Sequence, residues 1–385
     1  MKILITGVHG FVGSNLVEAL KKEHTIYGLD IISPMKDGVQ KTFSWDDLEK
    51  VGSRFKVQDS SPETCNVKPA TDSLAELASV DAIIHLAGKA HDTKNQSAAE
   101  VYFKVNTGLT ERIFDWFLKQ PKCKKFVFFS TAKAAADKVD GVLTEDVVPA
   151  PVGPYGESKI KAEEYIISKF QDSGFKFQVG SQSSKSEENL QENHSTSRIS
   201  ELENSISHTE STDNTENAST GSATKQVYIF RPCMIHGLGN KGNLNLLYNV
   251  VRKGIPWPLG AFENRRTFTS VENICFAVNG VLIKDVPSGI YNMGDDEALS
   301  TNELIEEICK SLGKKAHIWK LPKGMMTGFA KVGDALHLPL NSERLRKLTE
   351  NYISSNAKIK AALGIEKFPV NAREGLQATL KSFKG

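Results

Sequence analysis

The stretch Lys2-Ile3-Leu4-Ile5-Thr6-Gly7-Val8-His9-Gly10-Phe11-Val12-Gly13 decides the fold. Residues 2–6 read as a short apolar strand. Over residues 14–22, Leu16, Val17 and Leu20 recur at helical spacing. Between the two lies a turn with glycine at positions 7, 10 and 13. Glycines there let the backbone close on a pyrophosphate, and the helix start adds free N–H donors and positive dipole. A glycine pattern alone is weak evidence; its place at the first strand–helix junction gives it weight. Gly7, Gly10, Phe11, Val12 and Gly13 are therefore candidate cofactor-binding positions. His9 reads as an exposed loop residue with no assigned role.

Working outward, the strand at 25–29 ends in Asp30, 17 residues after Gly13. A carboxylate there accepts hydrogen bonds from ribose hydroxyls and repels a 2′-phosphate, which favours NAD over NADP. Residues 55–57 read as a strand leading to Asp59, a candidate for the adenine end. Ala82-Ile83-Ile84-His85-Leu86-Ala87-Gly88 is nearly continuously apolar, as in a parallel strand covered on both faces. Its small carboxyl end leaves room for a flat ligand, so Leu86, Ala87 and Gly88 join the cofactor candidates. His85 reads as a packed structural histidine. A long helical region containing Asn106 precedes a buried strand at 125–129, which ends at Ser130-Thr131. Strand alternates with helix throughout, so right-handed crossovers and a Rossmann-type doubly wound parallel α/β sheet follow, with a smaller, mostly C-terminal substrate lobe.

The chemistry points to Pro154-Tyr155-Gly156-Glu157-Ser158-Lys159. Proline suits a first helical turn, and Tyr155 and Lys159 share a face one turn apart. A free tyrosine, with a pKa of about 10, is too weakly acidic by about 3 units to be a base near neutrality. A neighbouring ammonium stabilises the phenolate and lowers that value. The pair thus reads as a general base for a sugar or alcohol hydroxyl, although the spacing alone also occurs by chance on solvated helices.

Hydrophobic content of 39% and charged content of 24% suit a globular enzyme. A net charge of +2 gives no global attraction to nucleic acid or anionic membrane, so any pull on an anion is local. The opening runs straight into a strand, with no charged segment before a long apolar one, and no apolar run is long enough to span a bilayer. The five cysteines, Cys65, Cys123, Cys233, Cys275 and Cys309, are scattered and form no Cys-x-x-Cys pair. They suggest free thiols rather than a disulfide or zinc framework, so no metal site is expected. The expectation is a soluble cytoplasmic protein without membrane insertion.

Gly7, Gly10 and Gly13, Asp30, His85 to Gly88, Asn106, Ser130-Thr131, the Tyr155–Lys159 motif and Arg231-Pro232 occur in order along the chain. As a set they closely resemble the extended short-chain dehydrogenase/reductases, in the nucleotide-sugar epimerase/dehydratase branch. The resemblance implies NAD as cofactor, with Asn106, Ser130, Tyr155 and Lys159 beside it. Tyr155, Lys159 and Thr131 are implied as catalytic, with Thr131 also touching substrate. It also implies a UDP-sugar substrate, with Asn243, Leu244, Pro258, Leu259 and Arg266 as substrate-binding positions. Arg266 would clamp the diphosphate, as suits a guanidinium. Arg344 or Arg346 is a candidate second phosphate contact. Relatives often dimerise through helices flanking the sheet, here about 98–118 and 155–170, which implies a homodimer.

The expected domains are an NAD-binding unit over 1–178, completed by 225–236 and about 270–296, and a nucleotide-sugar lobe from 237–269 and 297–385. Residues 179–224 interrupt the resemblance. That insert is rich in Ser, Thr, Asn and Glu, with isolated Leu190, Ile199, Leu202 and Ile206. It buries too little apolar surface to offset its ordering entropy, so disorder is expected.

In the implied reaction Tyr155 removes the proton of a sugar hydroxyl at C4 while hydride passes to NAD, Lys159 holds the ribose and Thr131 orients the hydroxyl. Related 4,6-dehydratases carry an Asp-Glu pair after the strand-end threonine. Here Ala132 and Lys133 follow Thr131, which speaks against dehydration. Two readings stay open: a self-recycling 4-epimerase, favoured because Asp30 selects NAD, and a one-way reductase of a UDP-4-keto-6-deoxy-N-acetylhexosamine. A third, a catalytically silent NAD-binding regulator, sits poorly with intact Thr131, Tyr155 and Lys159.

Overall fold

The computed structural model describes residues 1–55, 72–90, 98–177, 224–240, 242–336 and 341–383. Its strands are β1 (Lys2–Thr6), β2 (Thr25–Leu29), β3 (Val39–Phe43), β4 (Ala82–His85), β5 (Lys125–Phe129), β6 (Val142–Leu143), β7 (Gln226–Pro232), β8 (Met234–His236), β9 (Phe268–Ser270), β10 (Gly289–Met293) and β11 (Ile353–Ser354). Seven form one sheet in the order β10-β7-β5-β4-β1-β2-β3, and every pairing in it is parallel. The chain moves outward from β1 through β2 to β3, then returns to β4 on the other side of β1. That reversal opens a crevice beyond the carboxyl ends of β1 and β4, where ligands of such sheets bind.

The sheet is covered on both faces because its strands are apolar on both. Successive side chains alternate between faces. Phe126 and Phe128 of β5 pack with Ile113, Phe114, Phe117, Ile166 and Phe170 from helices Leu109–Lys119 and Pro154–Asp172. Val127 and Phe129 face Leu16, Ile274, Val278 and Ile359 from helices Phe11–Leu20, Val271–Ile283 and Ala357–Leu363. A third cluster, with Tyr248, Trp257, Leu259, Leu304, Ile308 and Leu376, forms a separate core beyond the carboxyl edge of the sheet. Two-stranded pairs β8–β9 and β6–β11 lie outside the main sheet.

Several elements differ from expectation. The edge strand β3 was not anticipated, and Phe55 ends the helix Trp45–Phe55 instead of opening a strand. Val57, Asp59 and most of the 179–224 insert lie outside the described residues. The helical region around Asn106 is continuous but carries a π-helical segment, Phe103–Gly108. Among the described cysteines, Cys123, Cys233, Cys275 and Cys309 are free and buried. No helix among the described residues is long and apolar enough to cross a membrane.

Phe126 is fully buried and meets Phe114 and Phe117 at ring-centroid distances of 5.1 and 5.2 Å. Phe126→Ala is expected to cost about 3–5 kcal/mol of stability. Urea unfolding checks it, as a lower midpoint with unchanged slope.

Candidate active site

The glycine turn is shaped by packing as much as by any ligand. Gly7 has φ +68°, and a Cβ there would lie 3.1 Å from the Ala87 nitrogen. A Cβ on Gly13 would meet the Gly7 carbonyl oxygen at 2.5 Å, so the helix can start this close to β1 only with glycine. Gly10 caps the helix with no side-chain hydrogen bond, and the first-turn N–H groups, those of Phe11 and Val12 among them, have no intrahelical acceptor. Asp30 stands at the end of β2, where its Oδ2 accepts the His9 N–H at 3.1 Å and its Oδ1 the Ile31 N–H at 2.8 Å. His9, expected to be exposed, is half-buried and ties the turn to this carboxylate. The turn, the uncapped helix start and an anchored carboxylate together fit a dinucleotide.

The carboxyl end of β4 is held by Thr6, whose Oγ1 accepts from the Leu86 and Ala87 nitrogens at 3.1 and 2.9 Å. The same hydroxyl lies 2.7 Å from His85 Nδ1, and His85 Nε2 lies 2.9 Å from Thr110 Oγ1, which donates to the Asn106 carbonyl. One proton arrangement satisfies every group: Thr6 donates to a neutral His85, which donates through Nε2 to Thr110. Burial holds the His85 pKa well below its ordinary value, with the Lys159 charge pushing the same way, so the ring stays neutral. His85 is structural. Asn106 is fully buried and commits its amide: Oδ1 accepts the Lys89 N–H, while Nδ2 donates to the Lys89 carbonyl and Ser158 Oγ. A Cβ on Gly88 would come within 3.0 Å of Asn106 Oδ1 and 3.2 Å of Lys159 Nζ, so the β4 end and the Tyr155 helix nearly touch.

Helix Pro154–Asp172 begins with proline after Gly153, whose φ is +83°. A Cβ on Gly156 would lie 2.7 Å from the Lys133 carbonyl, and this close approach brings Thr131 to Tyr155. Thr131 is buried, caps the short helix Ala132–Ala135 and is hydrogen-bonded to the Tyr155 hydroxyl. Tyr102 meets the Tyr155 ring edge-on at 6.4 Å. Burial raises the Tyr155 pKa and outweighs the Thr131 hydroxyl, which lowers it. Lys159 is buried, donates to the Phe129 carbonyl at 2.8 Å and lies 4.9 Å from the Phe128 ring centroid. Burial lowers its pKa from 10.5 to about 8, against the opposing pull of Glu163. The expectation that Lys159 lowers the tyrosine pKa is therefore not met here. The ammonium is committed to a backbone carbonyl, and desolvation dominates the phenol.

Ser130, beside Thr131, turns the other way and donates to Glu163 Oε1. Glu163 also receives Arg231, with Nη2 to Oε2 at 2.6 Å and Nε to both oxygens at 3.1 and 3.0 Å. Both ionic side chains are almost fully buried, at 0% and 2% exposure, so each charge depends on the other. Glu163 was missed from sequence. It lies four residues beyond Lys159 and eight beyond Tyr155, on the same helical face, and that spacing was the available signal.

The candidate substrate positions divide. Asn243 is exposed at the first position of helix Asn243–Arg252, and Pro258 is half-buried. Leu244 and Leu259 are buried in the third core cluster, so their side chains pack the lobe. Arg266 is half-buried and donates from Nη1 to the Lys347 carbonyl, while its backbone pairs with Leu299. Arg346 pairs with Glu350 and Asp137.

With this geometry in hand, comparison is informative. The NAD dependent epimerase/dehydratase family matches residues 3–294. The chain belongs to that family. A UDP-glucose 4-epimerase from Vibrio cholerae is 26% identical over 334 residues, covering 83% of this chain and 78% of its own length. A GDP-6-deoxy-D-talose 4-dehydrogenase from Aggregatibacter actinomycetemcomitans is 29% identical over 316 residues, covering 80% of each. The crystal structure of UDP-N-acetylglucosamine 4-epimerase from Bacillus cereus superposes with a TM-score of 0.64 at 18% identity, covering 100% of both chains, and supports the fold.

The lowered Lys159 pKa has a signed consequence. Between about 8 and 10.5 the unfolded chain holds this proton and the folded chain does not, so the residue adds stability as pH rises. Across that window, wild type should gain up to about 3 kcal/mol relative to Lys159→Met. Denaturant titrations of both proteins at several pH values check it.

Proposed function

We propose that this chain is an NAD-dependent 4-epimerase of a nucleotide sugar, a UDP-hexose or UDP-N-acetylhexosamine, working through a transient 4-keto sugar. The observation that carries the reading is the hydrogen-bonded Thr131–Tyr155 pair, followed by Ala132 and Lys133 where a dehydratase would need its carboxylates. The UDP-glucose 4-epimerase relative supports the substrate class.

The glycine turn and helix start bind the cofactor diphosphate, with Asp30 on the adenosine ribose and Leu86, Ala87 and Gly88 along the ligand. Asn106 and Ser130 act indirectly, by fixing Lys89 and Glu163. Lys159 binds the nicotinamide ribose. NAD, when bound, supplies the hydride acceptor and donor together with a positive charge near the phenol. Tyr155 Oη takes the proton from the sugar C4 hydroxyl and later returns it, while Thr131 Oγ1 donates to the phenolate and orients the hydroxyl. Arg266 retains donors beyond the Nη1 held by Lys347, and with Asn243 it holds the nucleotide diphosphate while the sugar turns over, the segment around Pro258 lying along the nucleobase. Leu244 and Leu259 support that surface from beneath. The same reading places the sugar-nucleotide lobe in 237–269 and 297–385. It also makes the protein a cytoplasmic homodimer joined through the helices near 98–118 and 155–170.

The second reading, one-way reduction of a 4-keto sugar, is favoured by the 4-dehydrogenase relative. NMR product analysis with UDP-glucose and UDP-N-acetylglucosamine, adding NAD but no reduced cofactor, separates the two. Appearance of the C4 epimer is the expected result. Absence of conversion by NAD-loaded protein, with turnover of a UDP-4-keto-6-deoxy sugar and NADH or NADPH, establishes the reductase. Tyr155→Phe is expected to lower turnover about 100- to 10,000-fold with NAD affinity nearly unchanged. Retention of more than about a tenth of activity would remove Tyr155 from the role of base.

A further inference from the structure

Glu163 holds helix Pro154–Asp172 along its length, and a second buried carboxylate governs how the chain enters it. Residues 144–155 run from the end of β6 to Tyr155. Among them Glu145 alone is buried, at 8% exposure, and the others are half-buried or exposed. Apolar packing therefore does little to fix this stretch, and its position depends on polar contacts.

Those contacts lie at the edge of the sheet. Glu145 Oε1 accepts the Asn292 N–H of β10 at 2.8 Å, a donor that this edge strand leaves free. Asn292 Nδ2 donates to the Leu143 carbonyl at 3.3 Å, so one residue ties the stretch twice. Asn292 is fully buried and stands beside Arg231 in the register of β10 on β7. Arg231 gives Nε and Nη2 to Glu163, and its remaining nitrogen, Nη1, is buried without a hydrogen-bond partner among the described residues. Glu145 is a second carboxylate acting on that guanidinium. Burial raises its pKa, while the Asn292 N–H, Lys358 and Arg231 draw it down. Lys358 lies 5.1 Å from the Tyr291 ring centroid. Lys358, Glu145, Arg231 and Glu163 thus alternate in sign from the sheet edge to the Tyr155 helix.

Resting on Tyr155 as the proposed base, we propose that Glu145 is a positioning residue for it. By reaching the Asn292 N–H, Glu145 holds the chain between β6 and Gly153 against the sheet edge and sets the approach of Tyr155 to Thr131. The same stretch is coupled to the helix that Thr131 caps, because the Ala150 N–H donates to the Ala135 carbonyl at 2.7 Å. At Gly153, with φ +83°, the chain then turns into the Tyr155 helix. Glu145 meets two separable demands, the reach of Oε1 to Asn292 and a charge beside Arg231.

Two variants of the full chain separate these demands. Glu145→Gln keeps an acceptor oxygen at the same reach and removes the charge; Glu145→Asp keeps the charge and withdraws it by one methylene. Glu145→Gln is expected to melt at a lower temperature, since Arg231 and Lys358 lose a counter-charge, yet to keep kcat within about threefold of wild type. Glu145→Asp is expected to lower kcat about 10- to 100-fold, with the KM for the UDP-sugar and the affinity for NAD within about twofold. A residue that only stabilised the fold would shift melting and leave kcat per folded molecule unchanged in both. Crystal structures of the two variants give a readout independent of turnover. The Thr131–Tyr155 hydrogen bond should persist in Glu145→Gln and open beyond about 3.5 Å in Glu145→Asp. If wild type turns over no nucleotide sugar, the role of Tyr155 as base falls, and the crystal structures alone decide the positioning. An intact Thr131–Tyr155 contact in Glu145→Asp, or a loss of kcat in Glu145→Gln as large as in Glu145→Asp, overturns the proposal.

Discussion

Arg231 is the largest fully buried side chain among the described residues, and the arrangement of the candidate active site depends on how its charge is met. Desolvating a guanidinium costs several kcal/mol, and only a well-placed carboxylate with further hydrogen bonds offsets that. Glu163 is that carboxylate, and Ser130 is its second partner. The three residues come from β7, the end of β5 and helix Pro154–Asp172. Their mutual requirement fixes that helix, in azimuth and in height, against the strand ends. Tyr155 stands two helical turns before Glu163, and Thr131 follows Ser130 directly. The ion pair therefore sets the Thr131–Tyr155 contact without touching either hydroxyl.

The other half of the crevice rests on a neutral counterpart. Thr6, His85 and Thr110 pass hydrogen bonds from β1 through β4 to the helical segment that carries Asn106. Asn106 then reaches Lys89 and Ser158, closing a loop between the β4 end and the Tyr155 helix. Neutrality of His85 matters here, because an imidazolium would need an acceptor at both nitrogens and Thr6 already donates to one. A charged network on one side and an uncharged one on the other converge on the same helix.

The parallel strands at 2–6, 25–29, 82–85 and 125–129 were legible because strands buried on both faces must be apolar throughout. Strand β3, Val39-Gln40-Lys41-Thr42-Phe43, escaped because an edge strand faces water and reads as polar. The reading of Phe55 as the start of a strand failed for the opposite reason: so short an apolar pattern cannot be told from a helix end. In the site, Tyr155, Lys159 and Thr131 were legible because they lie in one local motif or at a strand end. Thr6 and Glu163 were not singled out, since each acts on residues distant in sequence. The direction of the tyrosine shift was out of reach too, because spacing shows that a lysine is near and not where its ammonium is spent.

That shift constrains the chemistry. The same burial that raises the Tyr155 pKa lowers that of Lys159, so desolvation favours the neutral form of both. A phenol in this setting becomes a base only when positive charge is placed beside it in the same low-dielectric space, where each charge acts strongly. An oxidised nicotinamide ring carries such a charge and a reduced one does not. On the proposed function, oxidised cofactor would favour deprotonation of a sugar hydroxyl by Tyr155, and reduced cofactor would favour its reprotonation. Burial, which looks adverse for a single general base, would thus tie proton transfer at Tyr155 to the charge state of the cofactor, as the proposed reversible reaction at C4 requires.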